Sequence, residues 1–468
     1  MMNFYSSLLR RTVIPVGSRL AGYGDFLPYL KGLESSQWWT PEQLRQLQNA
    51  KLRRLIAHVY QHTEFYRQVM DERGLTPADI QTTDDLVKLP IIDKRVISRH
   101  YDTALRDQTI PRQQLIHATS SGSTGEILQY WTTKSQKAKK WAGLYRFWEM
   151  AGYDFGKRYA TFTVSANRGF REHPFLSKLE WGLLRHLWLP MIEITDEKLD
   201  DYARRIAAFK PVMLRSYAST VYFLAQYMNR AGINAPVPAV ITTGETLTPH
   251  MREAIETAFA PGRVFNEYGA DGMQIAGECD AHSGLHINAE TIFVEVIRDG
   301  QRVPEGEIGE LVLTNLEATA TPFIRYNIRD VGALSHEPCT CGRGLPRLTH
   351  LEGRLTDLFA THDGRWLSVH HFTGFFGHLP AVDAFQVIQH AVDDVEIKLV
   401  INETFSKNHE QAIRETFADY LGENIRLTLT YVDAIPTTPA GKRRFFISEV
   451  IQGTPSQVEM TDPEGPEQ

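Results

Sequence analysis

Residues up to about 75 read as helices, with apolar positions at mixed, mostly three- and four-residue steps. Between Pro41 and Val69 they fall at Leu44, Leu47, Leu52, Leu55, Ile56, Val59, Tyr60 and Phe65, a spacing that lines one side of a helix. Thr40-Pro41 offers an N-cap and first-turn pair, and Leu89-Pro90 ends helical potential further on. From about 115 to 315 the pattern changes. Short apolar runs at Tyr159–Thr163, Val212–Arg215, Ala239–Thr242, Val264–Asn266 and Thr291–Val296 predict strands. Helical patterns lie between them at Gln136–Met150, Thr195–Phe209, Ser219–Ala231 and Pro249–Ala258. Such alternation predicts α/β layers. Gly306–Asn315 reads as part of an antiparallel sheet. Past a boundary near Gly353–Asp357, a strand-like stretch at Ala384–Ile401, a helix at Lys407–Leu421 and a strand at Arg426–Val432 predict a small α+β unit. The expected organisation is a large domain over 1–353, a small one over 354–452, and a disordered tail over 453–468, rich in Pro, Glu and Gln.

Composition narrows the functional classes. The 468 residues carry a formal net charge of -6, so there is no basic footprint for nucleic acid. No stretch approaches the ~20 apolar residues needed to cross a bilayer. The N-terminal Ser6-Ser7-Leu8-Leu9 is broken at once by Arg10-Arg11, unlike a signal peptide. Three cysteines are too few for a disulfide framework. The expected compartment is the cytoplasm, with no membrane or nucleic-acid partner; a homodimer is left open.

Chemistry is concentrated in one run, Ser120-Ser121-Gly122-Ser123-Thr124-Gly125. Glycines let a backbone turn bring its N–H groups to an oxyanion, and hydroxyls add neutral donors. Flanked by apolar strand-like segments, the run reads as a phosphate-cradling loop in a β-hairpin, or as a plain Ser/Gly turn. It is not a Walker A loop, since no Lys follows the second Gly. Five more segments carry polar residues a plain core does not need: Thr242–Glu245, Asn266–Asp271, Phe323–Asp330, Gly353-Arg354 and Thr438–Arg444.

In order and spacing, these segments resemble the adenylate-forming superfamily of acyl- and aryl-CoA synthetases, most closely its phenylacetate–CoA ligase-like branch. His62–Arg67, Leu89–Lys94, Thr243–Leu247 and Arg325-Tyr326 add branch-like details. The resemblance implies a reaction in two halves. A carboxylate attacks the α-phosphorus of ATP, and coenzyme A then displaces AMP from the acyl-adenylate. It also implies roles. Ser120, Ser121, Gly122, Ser123, Thr124 and Gly125 hold ATP phosphates. Gly244, Glu245, Glu267, Tyr268 and Gly269 form the adenine segment. Asp330 takes the ribose hydroxyls, Arg354 reaches the ribose near a hinge, and Lys442 is the mobile catalytic lysine. A small acid, expected to be aromatic, would be bound near Trp141, Tyr145 and the Ser165–Phe175 loop. There Arg168, Arg171 and His173 are candidates to meet a second polar group, or belong to a solvated loop. An amine or carrier-protein acceptor, or a non-catalytic nucleotide-binding homologue, are the other readings.

Three departures from the family pattern stand out. Gly272 replaces a glutamate that usually contacts Mg2+, leaving Asp271 as a hard oxygen ligand one residue early. Thr356 replaces the first hinge aspartate. Glu126-Ile127 follows the phosphate loop in place of Lys-Pro. Some branch members carry zinc, and Cys279, His286, Cys339 and Cys341 here make a Cys3His set suited to structural Zn2+. His282 and His336 are alternative fourth ligands.

Overall fold

The computed structural model describes residues 4–120, 128–163, 182–190, 196–352, 358–360, 366–368, 375–376, 379, 381–422, 425–436 and 446–450. The N-terminal periodicity forms two helices in place of one run, Pro41–His62 and Glu64–Asp71, parted at Thr63. Thr40 caps the first: its side chain accepts from the Gln43 amide, and Gln43 reaches back to the Thr40 amide.

Strands β1 (Leu115–Ser120) and β2 (Leu128–Thr133) pair antiparallel, with Ser120 opposite Leu128. This is the expected hairpin; its connecting residues 121–127 lie outside the described residues. Strands β3 (Tyr159–Thr163), β4 (His186–Pro190), β5 (Met213–Tyr217), β6 (Val240–Thr243) and β7 (Val264–Ala270) pair parallel in the order β4-β3-β5-β6-β7. The sheet then continues antiparallel from β7 through β8 (Met273–Glu278), β9 (Leu285–Ile287), β14 (Arg347–Glu352), β13 (Tyr326–Ser335), β12 (Gly309–Asn315), β10 (Ile292–Arg298) and β11 (Gln301–Arg302). Together these make one twelve-stranded sheet. The expected α/β layers and antiparallel sheet are thus continuous across β7·β8.

Helices Asp196–Phe209, Ala218–Ala231 and Pro249–Ala258 bury one apolar face each on the parallel half. Helices Pro41–His62 and Glu64–Asp71 cover the antiparallel half. At the C-terminal end, the stretch 384–401 is a hairpin, β17 (Val382–Ala391) and β18 (Asp394–Ile401), turning at Val392-Asp393. It follows a short ribbon, β15 (Leu358–Ala360) with β16 (Trp366–Ser368). Strands β19 (Arg426–Tyr431) and β20 (Phe446–Ser448) flank the hairpin in parallel. Helix Lys407–Leu421 packs Ile413, Phe417 and Leu421 against these strands, in a core drawn entirely from residues after Phe375. Among the described residues, no helix is long and apolar enough to cross a membrane.

Candidate active site and thiol cluster

Functional loops of a parallel sheet gather at the carboxyl ends of its strands. Gly244-Glu245 leaves β6 there, and Gly244 has φ +72°, a left-handed turn that favours glycine. On the neighbouring β7, side chains alternate, and the alternation divides two residues that the sequence grouped together. Tyr268 donates its hydroxyl to Asp330 Oδ2 at 2.6 Å, across 62 positions of chain. Glu267 turns to the other face. It accepts from Trp148 Nε1 at 2.7 Å and from Arg215 Nε at 2.8 Å. Burial raises the pKa of its carboxyl, and Arg215 opposes that rise. Glu267 is therefore committed behind the Tyr268 face rather than on it. Gly269 continues the strand opposite Gln274.

Asp271 and Gly272 do not form a displaced copy of the family's hydroxyl–glutamate pair. They are the two central residues of the β7·β8 hairpin, with Ala270 opposite Met273 and φ of +46° and +79°. Asp-Gly with both φ positive is the type I′ turn that suits strand twist. A Cβ on Gly272 would stand 1.8 Å from Tyr130 Oη, so a glutamate at 272 and a tyrosine at 130 exclude each other. The Asp271 carboxylate accepts from Tyr326 Oη at 2.6 Å and is buried. Burial and the Asp271 charge push the Tyr130 hydroxyl up to about 12, so it stays neutral. Tyr130 lies on β2, so the hairpin that carries the phosphate-loop run meets the adenine strand at this turn.

Three of the four branch-like segments meet at one place. Ile92 N–H donates to the Arg325 carbonyl and Asn327 N–H to that of Ile92. Arg325 Nη1 donates to the Leu89 carbonyl at 2.7 Å, and Ile324 N–H to Tyr66 Oη at 3.2 Å. His62–Arg67, Leu89–Lys94 and Arg325-Tyr326 thus brace the start of β13, which carries Asp330. Trp141 and Tyr145 pack toward the N-terminal helices. Trp141 packs on Tyr23 at 4.8 Å and Tyr145 stacks on Phe155 at 4.5 Å, because that face of helix Lys134–Met150 takes the N-terminal helices. Residues 165–175, 353–357 and 437–445, with Arg168, Arg171, His173, Arg354 and Lys442, lie outside the described residues.

Away from the cleft, Cys279, His286, Cys339 and Cys341 converge, with donor atoms all within 4.8 Å of one another. Cys279 follows β8, His286 lies on β9, and the last two sit between β13 and β14. A tetrahedral ion with bonds of about 2.3 Å to sulfur sets its sulfurs about 3.8 Å apart; Cys279 Sγ and Cys339 Sγ stand 3.8 Å apart. His286 Nδ1 faces the Leu345 carbonyl at 3.3 Å, leaving Nε2 toward Cys341 Sγ at 3.3 Å. Burial lowers the His286 pKa to about 4, keeping the neutral, ligating ring. The alternatives are occupied elsewhere: His282 meets Glu278 and the Gly262 carbonyl, and His336 meets Glu305.

Comparisons with known proteins agree with this architecture. Residues 359–449 match the CapK C-terminal domain family. The chain is 25% identical to a phenylacetate-coenzyme A ligase of Thermus thermophilus over 86% of this chain and 96% of that protein. It is 27% identical to protein CapK of Staphylococcus aureus, over 87% and 90%. The structure of 2-hydroxyisobutyryl-CoA ligase in its postadenylation state shares the fold, with TM-score 0.70 and 17% identity, covering 88% of this chain and 91% of that one. Over most of its length the chain is thus similar to phenylacetate-coenzyme A ligases and to protein CapK, and it has the fold of an acyl-CoA ligase.

Proposed function

We propose that this protein is an ATP-dependent acid–CoA ligase working through an acyl-adenylate. The observation that carries the reading is a convergence. The β1·β2 hairpin, the Gly244-Glu245 turn and the Tyr268–Asp330 pair meet at the carboxyl end of the sheet. In this reading Ser120–Gly125 hold the β- and γ-phosphates. Tyr268 packs on adenine while its hydroxyl fixes Asp330 for the ribose, and Arg354 reaches the same sugar. Lys442, on a small domain beginning near 354, bridges the substrate carboxylate and the α-phosphate. Two anions must meet there, so cationic clamping dominates catalysis. Asp271 offers a carboxylate oxygen to Mg2+, which would neutralise phosphate charge. The acid is expected to be aromatic, and the reducing cytoplasm suits the three unpaired thiols.

Pyrophosphate exchange over a panel of acids, then AMP release with CoA against amines, tests the reading. Lys442→Ala should cut exchange by about 10²–10³-fold or more while ATP still binds; unchanged exchange overturns the assigned role. We further propose that the four-residue cluster holds a structural Zn2+, supported by its closed donor set and the Leu345 carbonyl behind His286. Metal analysis of protein prepared without chelator should give one zinc per chain.

A further inference from the structure

Helix Lys134–Met150 carries charge that this mechanism does not use. Beside Asp271, Gly272 and Tyr130 it borders a cavity of about 80 Å³. At ~10–15 Å³ of such volume per water, that is room for several waters or one compact polar group. Lys137, Lys139 and Lys140 all line it. Lys139 is neutralised: its Nζ meets Glu317 at 2.5 Å, and Lys51 meets the same carboxylate at 2.5 Å. Lys137 and Lys140, one helical turn apart, have no hydrogen bond or ion pair among the described residues. Arg215, bound to Glu267, adds a third cation near Lys140. The carboxylates on the cavity wall are Glu317 and Asp271, and Tyr326 already donates to Asp271.

An uncompensated half-buried cation costs free energy. Burial, with Lys137 and Arg215 nearby, lowers the Lys140 pKa to about 8. Groups perturbed in this way inside a cleft mark candidate sites where a ligand brings the counter-charge. Tyr130, Trp131 and Phe323 line the same cavity, apolar faces suited to a ring.

We propose that Lys140, with Lys137, binds an anionic group at the far end of the substrate, so that the acid activated here is a dianion. Its second anion, a carboxylate or a sulfonate or phosphonate on the same ring, lies distal to the carboxyl that is adenylated. The proposal rests on the ligase reading above. It specifies a substrate class and a specificity-determining pair of lysines.

The test compares AMP-forming turnover of the full chain with phenylacetate and with 4-carboxy-, 4-sulfo- and 4-phosphonophenylacetate. The dianions should exceed phenylacetate in kcat/KM by about 10- to 100-fold, the worth of a charge-assisted contact. Their ranking identifies the anion. Lys140→Met should collapse that ratio toward one, and Lys140→Arg should keep it. A preference for phenylacetate, or a Lys140→Met variant that lowers all acids alike, overturns the proposal. If no acid turns over, the ligase reading fails and binding decides the cavity separately. Saturable thermal stabilisation by a dianion, absent in Lys140→Met, supports the site; none overturns it.

Discussion

Strand β8 separates two clusters of ionisable groups that are built on opposite terms. Past its end, three thiols and one imidazole point at one another, and a carbonyl backs the imidazole. Before its start, at the Asp271-Gly272 turn, lysines and carboxylates share a cavity, and two of the lysines find no counter-ion among the described residues. The first cluster is complete once a single ion joins it. Among the described residues the second carries surplus positive charge beside an aromatic lining, and in the proposal above a ligand completes it. A closed donor set ties strands together; an open one selects what enters.

The largest effect should come from opening the closed cluster. Cys339→Ser removes one of its three thiolates and should take bound zinc from about one per chain to near zero. It should also destabilise the large sheet by about 4 kcal/mol, the scale expected when a structural metal is lost. Metal analysis and chemical denaturation check both. Full stability in a zinc-free variant would mean that the cluster closes without metal, and the contrast with the cavity would weaken.

Next in size is Gly272→Glu, which restores the residue usual for the family. It should destabilise the protein by about 2–4 kcal/mol, because a side chain at positive φ is strained and Tyr130 fills its space. In a double-mutant cycle with Tyr130→Ala, the pair should cost less than the sum of the singles by more than about 1 kcal/mol. Additive costs would show that the two positions do not compete. Smaller again is Tyr268→Phe, which removes one hydrogen bond to Asp330. It should raise the KM for ATP about tenfold, the worth of a bond to a charged group, with kcat nearly unchanged; an unmoved KM would detach this pair from the nucleotide.

Much of this was legible in the sequence, for reasons that can be stated. Strand Tyr159–Thr163 and helices Pro249–Ala258 and Lys407–Leu421 have the predicted bounds, because apolar periodicity follows directly from which face is buried. The Cys3His cluster was readable because few residue types ligate zinc. The turn at Asp271-Gly272 was readable too, since Asp-Gly between apolar strands signals a hairpin, but family expectation marked Gly272 as a missing glutamate and Asp271 as a metal ligand. Glu267 and Tyr268 were grouped because they adjoin, whereas strand alternation sends them to opposite faces. Lys137 and Lys140 went unnoticed because four lysines on one helix usually mark solvent. Only the packing of Trp141 and Tyr145 on the N-terminal helices turns that face toward the cavity.

The finest discrimination between the two clusters is by pH. Lys140 has its pKa lowered from the ordinary lysine range to about 8 by burial and neighbouring cations; burial lowers that of Lys137 as well. The other charged groups on the cavity are the Lys139–Glu317 pair and Asp271 bound to Tyr326, with Arg215, bound to Glu267, near Lys140. A lowered lysine is charged below its folded pKa and neutral above it. Since kcat/KM reports free-enzyme ionisations, its value for a dianionic acid should fall several-fold as pH rises through about 8, while that for phenylacetate should not share the step. Lys140→Arg, charged throughout, should flatten the profile and preserve the preference for the dianion. Parallel falls for both acids would place the titrating group elsewhere. A flat wild-type profile would mean that the lysine keeps its proton without a ligand, and the cavity would then be as self-sufficient as the thiol cluster across β8.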